Sequence, residues 1–415
     1  MPRPPFAPIE DILEELRRGS LVVLVDDEDR ENEGDLVCAA EMITAEKVNF
    51  MLRHGRGTLC VPLTRLRCEQ LQFTPQTSVN STPLGTAFTV TVDGHPRLGV
   101  STGVSASDRA TTILHTVAEE AVPGDFVRPG HVNPLIARDG GVLVRAGQTE
   151  GSVDLCRLAG LMPAAAIIEI LNDDGTMARV PDLARFCERH GLKMCTIADL
   201  IEYRMQRESL VQRVVDVPIA NALGEWRMIA YRSLVDQHEH VALCLGGVGG
   251  LDDTGRVRAS DEPGLVRVHS ECLTGDVFGS DRCECGEQLW AAMAQIAAAG
   301  RGALIYLRQE GRGIGLVNKL RAYQLQDQGM DTVEANHALG LPADRRDYGV
   351  GAQILRDLGL SKLRILTNNP KKISRLEVYG LHVTEQLPIE MPPSESNRRY
   401  LEAKKYKLGH DLRGV

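Results

Sequence analysis

The sequence predicts a mixed α/β protein in two domains. Short apolar runs alternate with stretches of helical periodicity, the pattern of sheets layered with helices. A polar stretch, "QRESLVQR" (206–213), separates two halves of different texture. At 415 residues the chain is long enough for two cores. The boundary falls near residue 207, giving domains 1–206 and 207–415.

Ile9, Ile12, Leu13 and Leu16 recur at helical spacing, and Gly19 suits the end of that helix. "LVVLV" (21–25) reads as a buried strand running into an acidic turn. "AFTVTV" (87–92) alternates like a strand, and "AAAIIEIL" (164–171) is a second buried run. "LARFCERHGLKMCTIADLIEYRMQ" reads as helix, strand, helix. Past the boundary, "VVDVPIANALGEWRMIAYRS" is a hairpin around a Gly-containing turn. "QLWAAMAQIAAAG" then reads as helix, and "GALIYL" and "KLRILT" as strands. The final 25 residues are charged and contain Pro and Ser, which suggests a loosely held tail.

Composition narrows the function. Hydrophobic residues make up 43% and charged residues 25%, as in soluble globular proteins. A net charge of −9 argues against non-specific nucleic-acid or membrane binding, which needs surplus Lys and Arg. No apolar run reaches membrane-spanning length, and the start has no signal-peptide core. A cytoplasmic protein with reduced cysteines is therefore expected. Cys38, Cys60, Cys68, Cys156, Cys187, Cys195 and Cys244 sit mostly among apolar residues and read as small core hydrophobes.

The other three cysteines lie in "ECLTGDVFGSDRCECG" (271–286) as Cys272, Cys283 and Cys285. Three thiolates and an open position are the pattern of a catalytic zinc, whose bound water ionises near pH 7. The alternative is a structural zinc completed by His269 or His337. Around this segment lie "RVHSE" (267–271), the Gly-rich "RQEGRGIGLVNK" (308–319) with Arg308, Arg312 and Lys319, "LPADRRDYG" (341–349), and "TNNPKK" (367–372). Four such loops suit the rim of an anionic-ligand site.

These motifs, with "DTVEANHALG", closely resemble GTP cyclohydrolase II over residues 213–400. The resemblance implies a layered α/β domain that opens the imidazole ring of GTP, releasing formate and pyrophosphate. It implies zinc on Cys272, Cys283 and Cys285, Arg346 as nucleophile at the α-phosphate and Asp344 as proton acceptor. The GTP-contacting positions it implies are Arg267, Val268, His269, Ser270, Glu271, Gln288, Glu310, Gly311, Arg312, Thr332, Thr367 and Lys372. Mg²⁺ is expected to accompany the triphosphate.

In the first half, "DDEDRENEGD" (26–35) packs seven carboxylates into ten residues after a buried strand. Such a turn is either solvated or a site for a hard cation. "STGVSASDRATT" (101–112) adds hydroxyls, "RPGHVNPL" (128–135) places His131 among turn-forming residues, and "RAGQTEG" (145–151) reads as a phosphate loop after a strand. Together these resemble 3,4-dihydroxy-2-butanone 4-phosphate synthase over residues 8–205. That implies an α+β domain with a mixed sheet, converting ribulose 5-phosphate to the four-carbon phosphate and formate with Mg²⁺ or Mn²⁺. It implies substrate contacts at Arg30, Glu31, Asp35, Arg145, Ala146, Gly147, Gln148, Thr149 and Glu169, with His131 and Glu169 catalytic. Glu31 is an implied metal ligand. Gln148 stands where that family has its second, a histidine; an amide oxygen can bind Mg²⁺ but lacks the imidazole's basicity. The fused order resembles bifunctional riboflavin-biosynthesis enzymes, and a homodimer is expected. Two rivals stay open: a silent N-terminal scaffold, and a zinc-dependent nucleotide-binding regulator without turnover.

Overall fold

The computed structural model describes residues 5–28, 30–82, 84–235, 238–258, 260–341, 349–394 and 396–414, except the side chains of Lys371, Arg375 and Arg399. The chain forms two compact units, Met1–Ser78 with Thr86–Arg207, and Val79–Gly85 with Glu208–Val415.

The strands of the first unit are β1 (Val22–Val25), β2 (Gly34–Ala39), β3 (Cys60–Thr64), β4 (Val92–Gly94), β5 (Phe126–Ala137), β6 (Ala165–Glu169) and β7 (Lys193–Thr196). Among the described residues they form one mixed sheet in the order β4-β5-β3-β6-β2-β1-β7. Strand β1 is wholly buried and pairs antiparallel with β2 and parallel with β7. Helix Ile9–Arg17 turns Ile9, Ile12, Leu13 and Leu16 inward, as its periodicity requires.

Register sets the geometry of this unit's polar face. Asp35 on β2 is paired with Glu169 on β6. Cys60 on β3 is opposite both Ile167 of β6 and Asn133 of β5. Asp35 and Glu169, as direct cross-strand partners, present their side chains on the same face.

The second unit contains β8 (Val211–Asn221), β9 (Gly224–Ser233), β10 (Glu239–Leu245), β11 (Gly264–Ser270), β12 (Gly302–Leu307), β13 (Lys362–Leu366) and β14 (His382–Leu387). Their order is β14-β13-β11-β12-β10-β9-β8. Strands β14, β13, β11 and β12 are parallel; β12, β10, β9 and β8 are antiparallel. Tyr231 on β9 donates from its hydroxyl to Asp357 at 2.6 Å, tying the hairpin to helix Gly349–Asp357. The seven scattered cysteines are all buried, free thiols.

Four local expectations are corrected. Residues 87–92 do not form a strand: Phe88 bridges Leu135 while Thr89 bridges Pro75, so no ladder propagates, and β4 begins at Val92. His131 lies within β5, because Asn133–Ala137 are held by parallel pairing to β3 despite the flanking Pro and Gly. The 145–151 segment follows a 3₁₀ turn, Gly141–Leu143, since β5 has already ended at Ala137. The C-terminal tail is not loose: helix Arg398–Tyr406 buries Leu401, Ala403 and Lys404, and Leu412 is buried beyond it. Its apolar anchors are too few and too spaced to stand out in a polar sequence.

Candidate active sites

The parallel half of the second sheet sends its chain ends to one place. After Ser270 of β11 come Glu271 and Cys272; after Leu307 of β12 comes the Arg308–Arg312 loop; after Leu366 of β13 comes Thr367–Lys372. Ligands gather at such carboxyl ends because each strand delivers a loop to the same crevice.

Cys272 enters a short helix, Leu273–Asp276, and Cys283 and Cys285 precede and open helix Cys285–Ala299. Asp276 fixes the turn, accepting from Cys272 N at 2.9 Å and from the Tyr306 hydroxyl at 2.8 Å. It also holds His269 Nε2 at 3.1 Å. The three sulfur atoms lie within 4.8 Å of one another. Gly275 makes room for them, because a Cβ there would stand 2.9 Å from Cys283 Sγ and 3.1 Å from Cys272 Sγ. Cys272 and Cys283 are 3.6 Å apart, far beyond disulfide length.

Charge is matched at this cradle. Lys319 Nζ lies 3.0 Å from Cys272 Sγ and 2.8 Å from Glu310. Against the cost of burial, Glu310 and Cys272 keep the Lys319 ammonium charged. Hydrogen bonds from the two neighbouring thiols, and then Lys319, favour the thiolate at Cys272. Cys285 is pushed well up by the same crowding of sulfur and by burial. Among the described residues no fourth His, Cys, Asp or Glu joins the converging ligand atoms. His269 is engaged by Asp276, and His337 is exposed on helix Thr332–Ala338.

One cavity contains the cradle and nearly every predicted GTP contact. Arg267, His269, Ser270, Glu271, Gln288, Glu310, Gly311, Arg312, Thr332, Thr367 and Lys372 all line it with the three cysteines. Arg267 is fixed by Leu366 O and Gln288 Oε1, each at 2.8 Å. Glu310 accepts from Leu273 N at 2.7 Å, joining the Gly-rich loop to the cysteine turn. Gly311 and Arg312 both take φ of +62°, left-handed backbone that folds this loop tightly. Val268 differs, for its side chain is core and its carbonyl accepts from Lys372 Nζ at 2.7 Å. Asp344 and Arg346 lie outside the described residues. The sequence reading passed over Asp276, Tyr323, Tyr400, Lys404 and His410. Tyr323 follows Lys319 by one helical turn, a spacing that pointed to it.

The first unit's site is built from carboxylates. Asp26 is the buried hub, accepting from Glu31 N at 3.1 Å, Glu33 N at 2.8 Å and Arg30 Nη1 at 2.7 Å. Arg30 also reaches Glu31 Oε2 at 2.5 Å, and Arg179 donates to the Glu31 carbonyl at 2.8 Å. Burial, followed by the charges of Glu169, Glu31, Asp26 and Glu33, holds the Asp35 carboxyl well above its ordinary range. Glu33 is raised by burial and by Glu31. Glu169 accepts from Thr58 N at 2.7 Å. A Cβ on Gly57 would meet that carboxylate at 2.3 Å, so only glycine fits there.

Gln148 opens helix Gln148–Leu158 beside this cluster. Its Nε2 donates to Glu33 O at 3.1 Å, while its Oε1 is buried without a hydrogen-bond partner among the described residues. Such an oxygen can accept from a donor or bind a hard cation. Arg30 and Arg145 both approach Gly147, whose absent Cβ would lie 3.0 Å and 2.5 Å from them. Arg145 Nη1 meets buried Glu150 at 2.5 Å; Ala146 is partly buried and Thr149 is buried in the first helical turn. His131 Nδ1 is 2.7 Å from Asp93 Oδ2, and its backbone N–H reaches the other oxygen at 2.9 Å. Asp93 was the unseen orienting partner, hidden in "VTVDGH".

Two families account for both sites. Residues 10–203 match 3,4-dihydroxy-2-butanone 4-phosphate synthase, and residues 212–388 match GTP cyclohydrolase II. The riboflavin biosynthesis protein RibBA of Aquifex aeolicus is 55% identical over 406 residues, covering 98% of each chain. The chain belongs to the bifunctional RibBA family. Another RibBA, from Bacillus mycoides, is 54% identical over 98% of this chain and 99% of its own. The solved RibBX of A. baumannii, a two-domain 3,4-dihydroxy-2-butanone 4-phosphate synthase, superposes with a TM-score of 0.64. It is 36% identical and covers 92% of this chain and 99% of that one. A RibBA protein joins a synthase half to a cyclohydrolase half, and the two sites described above fall one in each.

Proposed function

We propose that each unit carries its family's reaction, with the residue roles that follow. The second unit hydrolyses GTP to 2,5-diamino-6-ribosylamino-4(3H)-pyrimidinone 5′-phosphate, formate and pyrophosphate. The observation that carries this is the three-thiol cradle inside a cavity lined by Arg267, Arg312, Lys319 and Lys372. Its donor set fits zinc: tetrahedral ligation at about 2.3 Å spaces sulfurs about 3.8 Å apart, and Cys272 and Cys283 stand at 3.6 Å. Zinc held there by Cys272, Cys283 and Cys285 supplies Lewis acidity for opening the ring. Arg312 and Lys372 meet the triphosphate with its Mg²⁺, and Arg267 and Gln288 brace each other against the guanine side. Arg346 acts at the α-phosphate and Asp344 takes up the proton, roles assigned from the family motif.

The first unit converts ribulose 5-phosphate to 3,4-dihydroxy-2-butanone 4-phosphate and formate. Glu31 and the orphaned Oε1 of Gln148 suit an oxygen-preferring Mg²⁺ or Mn²⁺. Arg30 and Arg145 through Thr149 hold the substrate phosphate, where the Gly147 backbone admits close approach. His131, oriented by Asp93, and Glu169, paired across the sheet with Asp35, supply the proton-transfer groups the reaction needs. A silent scaffold has no use for a buried carboxylate crowd that costs it stability, which weighs against that rival. We take the protein to be a cytoplasmic homodimer that binds neither nucleic acid nor membrane; no helix among the described residues is long and apolar enough to cross one. The deciding experiment assays formate from GTP and from ribulose 5-phosphate separately, and each substrate should yield it. Silence with ribulose 5-phosphate at saturating Mg²⁺ would return the first unit to a scaffold.

A further inference from the structure

The cyclohydrolase match stops at residue 388, yet the chain beyond it returns to the cavity. Tyr400, Lys404 and His410 line it alongside the cysteines. Three tethers seat this segment. Asp411 N donates to Asn368 O at 2.8 Å, Lys407 Nζ meets Glu334 at 2.8 Å, and Ser396 Oγ donates to Asp281 O at 3.1 Å. They join it to the loop after β13, to helix Thr332–Ala338 and to the cysteine loop.

The central contact is a buried ion pair. Lys404 Nζ lies 2.8 Å from Glu284 Oε1, with Glu284 1% and Lys404 8% exposed. Glu284 is the residue between Cys283 and Cys285, and its carbonyl accepts from Gln288 N at 2.9 Å. Whatever fixes Glu284 therefore fixes the peptide from which two of the three thiols hang. Burying such a pair costs several kcal/mol of desolvation per ion, a cost without function in a mere tail. The Tyr400 ring lies beside it, 4.6 Å from Lys404 Nζ and 5.8 Å from Arg312 Cζ. Both cations lie within cation–π range of the ring, and burial pushes its phenol up to about 12.

We propose that helix Arg398–Tyr406 is a working wall of the cyclohydrolase site. Lys404 is a positioning residue that holds the Cys283–Cys285 arm of the cradle through Glu284, and Tyr400 borders the bound guanine nucleotide. This rests on the zinc cyclohydrolase reading. It is tested on the full chain by zinc release to excess EDTA, with kcat and KM for GTP measured in parallel.

Lys404→Met should release zinc at least about tenfold faster, the usual scale for loss of a residue that orients a ligand. Its kcat should fall while its KM stays within a few-fold, and Lys404→Arg should restore most of both. Glu284→Gln added to Lys404→Met should still release zinc faster than the natural chain, because the unpaired buried carboxylate is relieved but the tether is still missing. Tyr400→Leu should raise KM several-fold with zinc retention unchanged. Wild-type zinc release and kcat in a folded Lys404→Met would overturn the proposal. If that variant does not fold, wild-type behaviour of both the double variant and Tyr400→Leu would overturn it. A wild-type chain without zinc or without formate from GTP sinks the cyclohydrolase reading instead, so the two failures are distinguishable.

Discussion

In the second unit three thiols converge within 4.8 Å with Lys319 placed against them. In the first, Asp26, Glu31, Glu33, Asp35 and Glu169 crowd together, and their cations, Arg30 and Arg179, bond the Asp26–Glu33 turn. The thiol cradle is preorganised and neutralised from within, down to a glycine that clears space for its sulfurs. The carboxylate cluster instead holds Asp35 well above its ordinary range, with the Gln148 amide oxygen buried beside it without a partner among the described residues. On the proposed function, the thiol donors suit a soft, tightly held ion and the oxygen donors a hard, exchangeable one.

Removing a thiol breaks the comparison hardest. Cys283→Ser should abolish GTP turnover, more than about a thousandfold, and leave less than one zinc per chain, since three thiolates are the minimum protein ligand set for a catalytic site. Formate production from ribulose 5-phosphate should persist, because that site shares no residue with the cradle. Full zinc occupancy by metal analysis would refute the ligand set. Gly275→Ala is subtler. It leaves all three ligands but forces a Cβ to 2.9 Å from Cys283 Sγ. We expect zinc affinity to drop about 10–100-fold, the scale of orientation defects, read by competition with a chelator. Unchanged affinity would mean that the cradle is plastic.

Gln148→His sharpens the other side. An imidazole brings a more basic nitrogen into a site that now offers only oxygen, so Mn²⁺ and Zn²⁺ should bind more tightly by about tenfold or more. Mg²⁺, which favours oxygen, should gain less. Metal titration of the folded chain reads the affinities, and synthase rates across a Mg²⁺ series read the consequence. If the natural protein saturates at low Mg²⁺ and the histidine gains nothing for any ion, the amide is already a full ligand.

What could be read from sequence depended on how far apart the partners lie along the chain. Cys272, Cys283 and Cys285 fall within fourteen residues, so their convergence showed as spacing. The phosphate loops showed through their glycines and clustered cations, and two of them, 308–319 and 367–372, follow strands. The pairing of Asp35 with Glu169 depends on sheet register, which no local pattern encodes across strands this distant. Asp93 orients His131 from 38 residues away. Lys404 finds Glu284 from 120 residues away, in a segment whose composition suggested a tail. The 87–92 run shows the converse: alternation was present, but Phe88 and Thr89 bridge different partners, and no ladder forms before Val92.

The smallest effect expected is on stability, and it tests whether the first site really stores repulsion. Asp35 is 4% exposed and faces Glu169 from β6 and Glu31, Glu33 and Asp26 from the acidic turn. Its folded proton affinity lies well above the unfolded value of about 3.9. Between those two values the native state binds more protons than the unfolded state, so stability falls as pH rises through that window. Below pH ~4 both states are protonated and the penalty vanishes. Asp35→Asn, nearly isosteric, should therefore raise the apparent thermal midpoint at pH 7.5 by a few degrees, corresponding to roughly 0.5–2 kcal/mol. The gain over the natural chain should shrink steadily toward pH 4. Mg²⁺ should close the gap from the other direction, because a cation stabilises the wild-type carboxylate crowd more than the variant. Melting curves of both proteins across pH 4–8, with and without Mg²⁺, measure all three trends. A variant that melts lower at pH 7.5, or a difference indifferent to pH, would mean that Asp35 is satisfied where it lies and that the two sites differ in ligand chemistry alone.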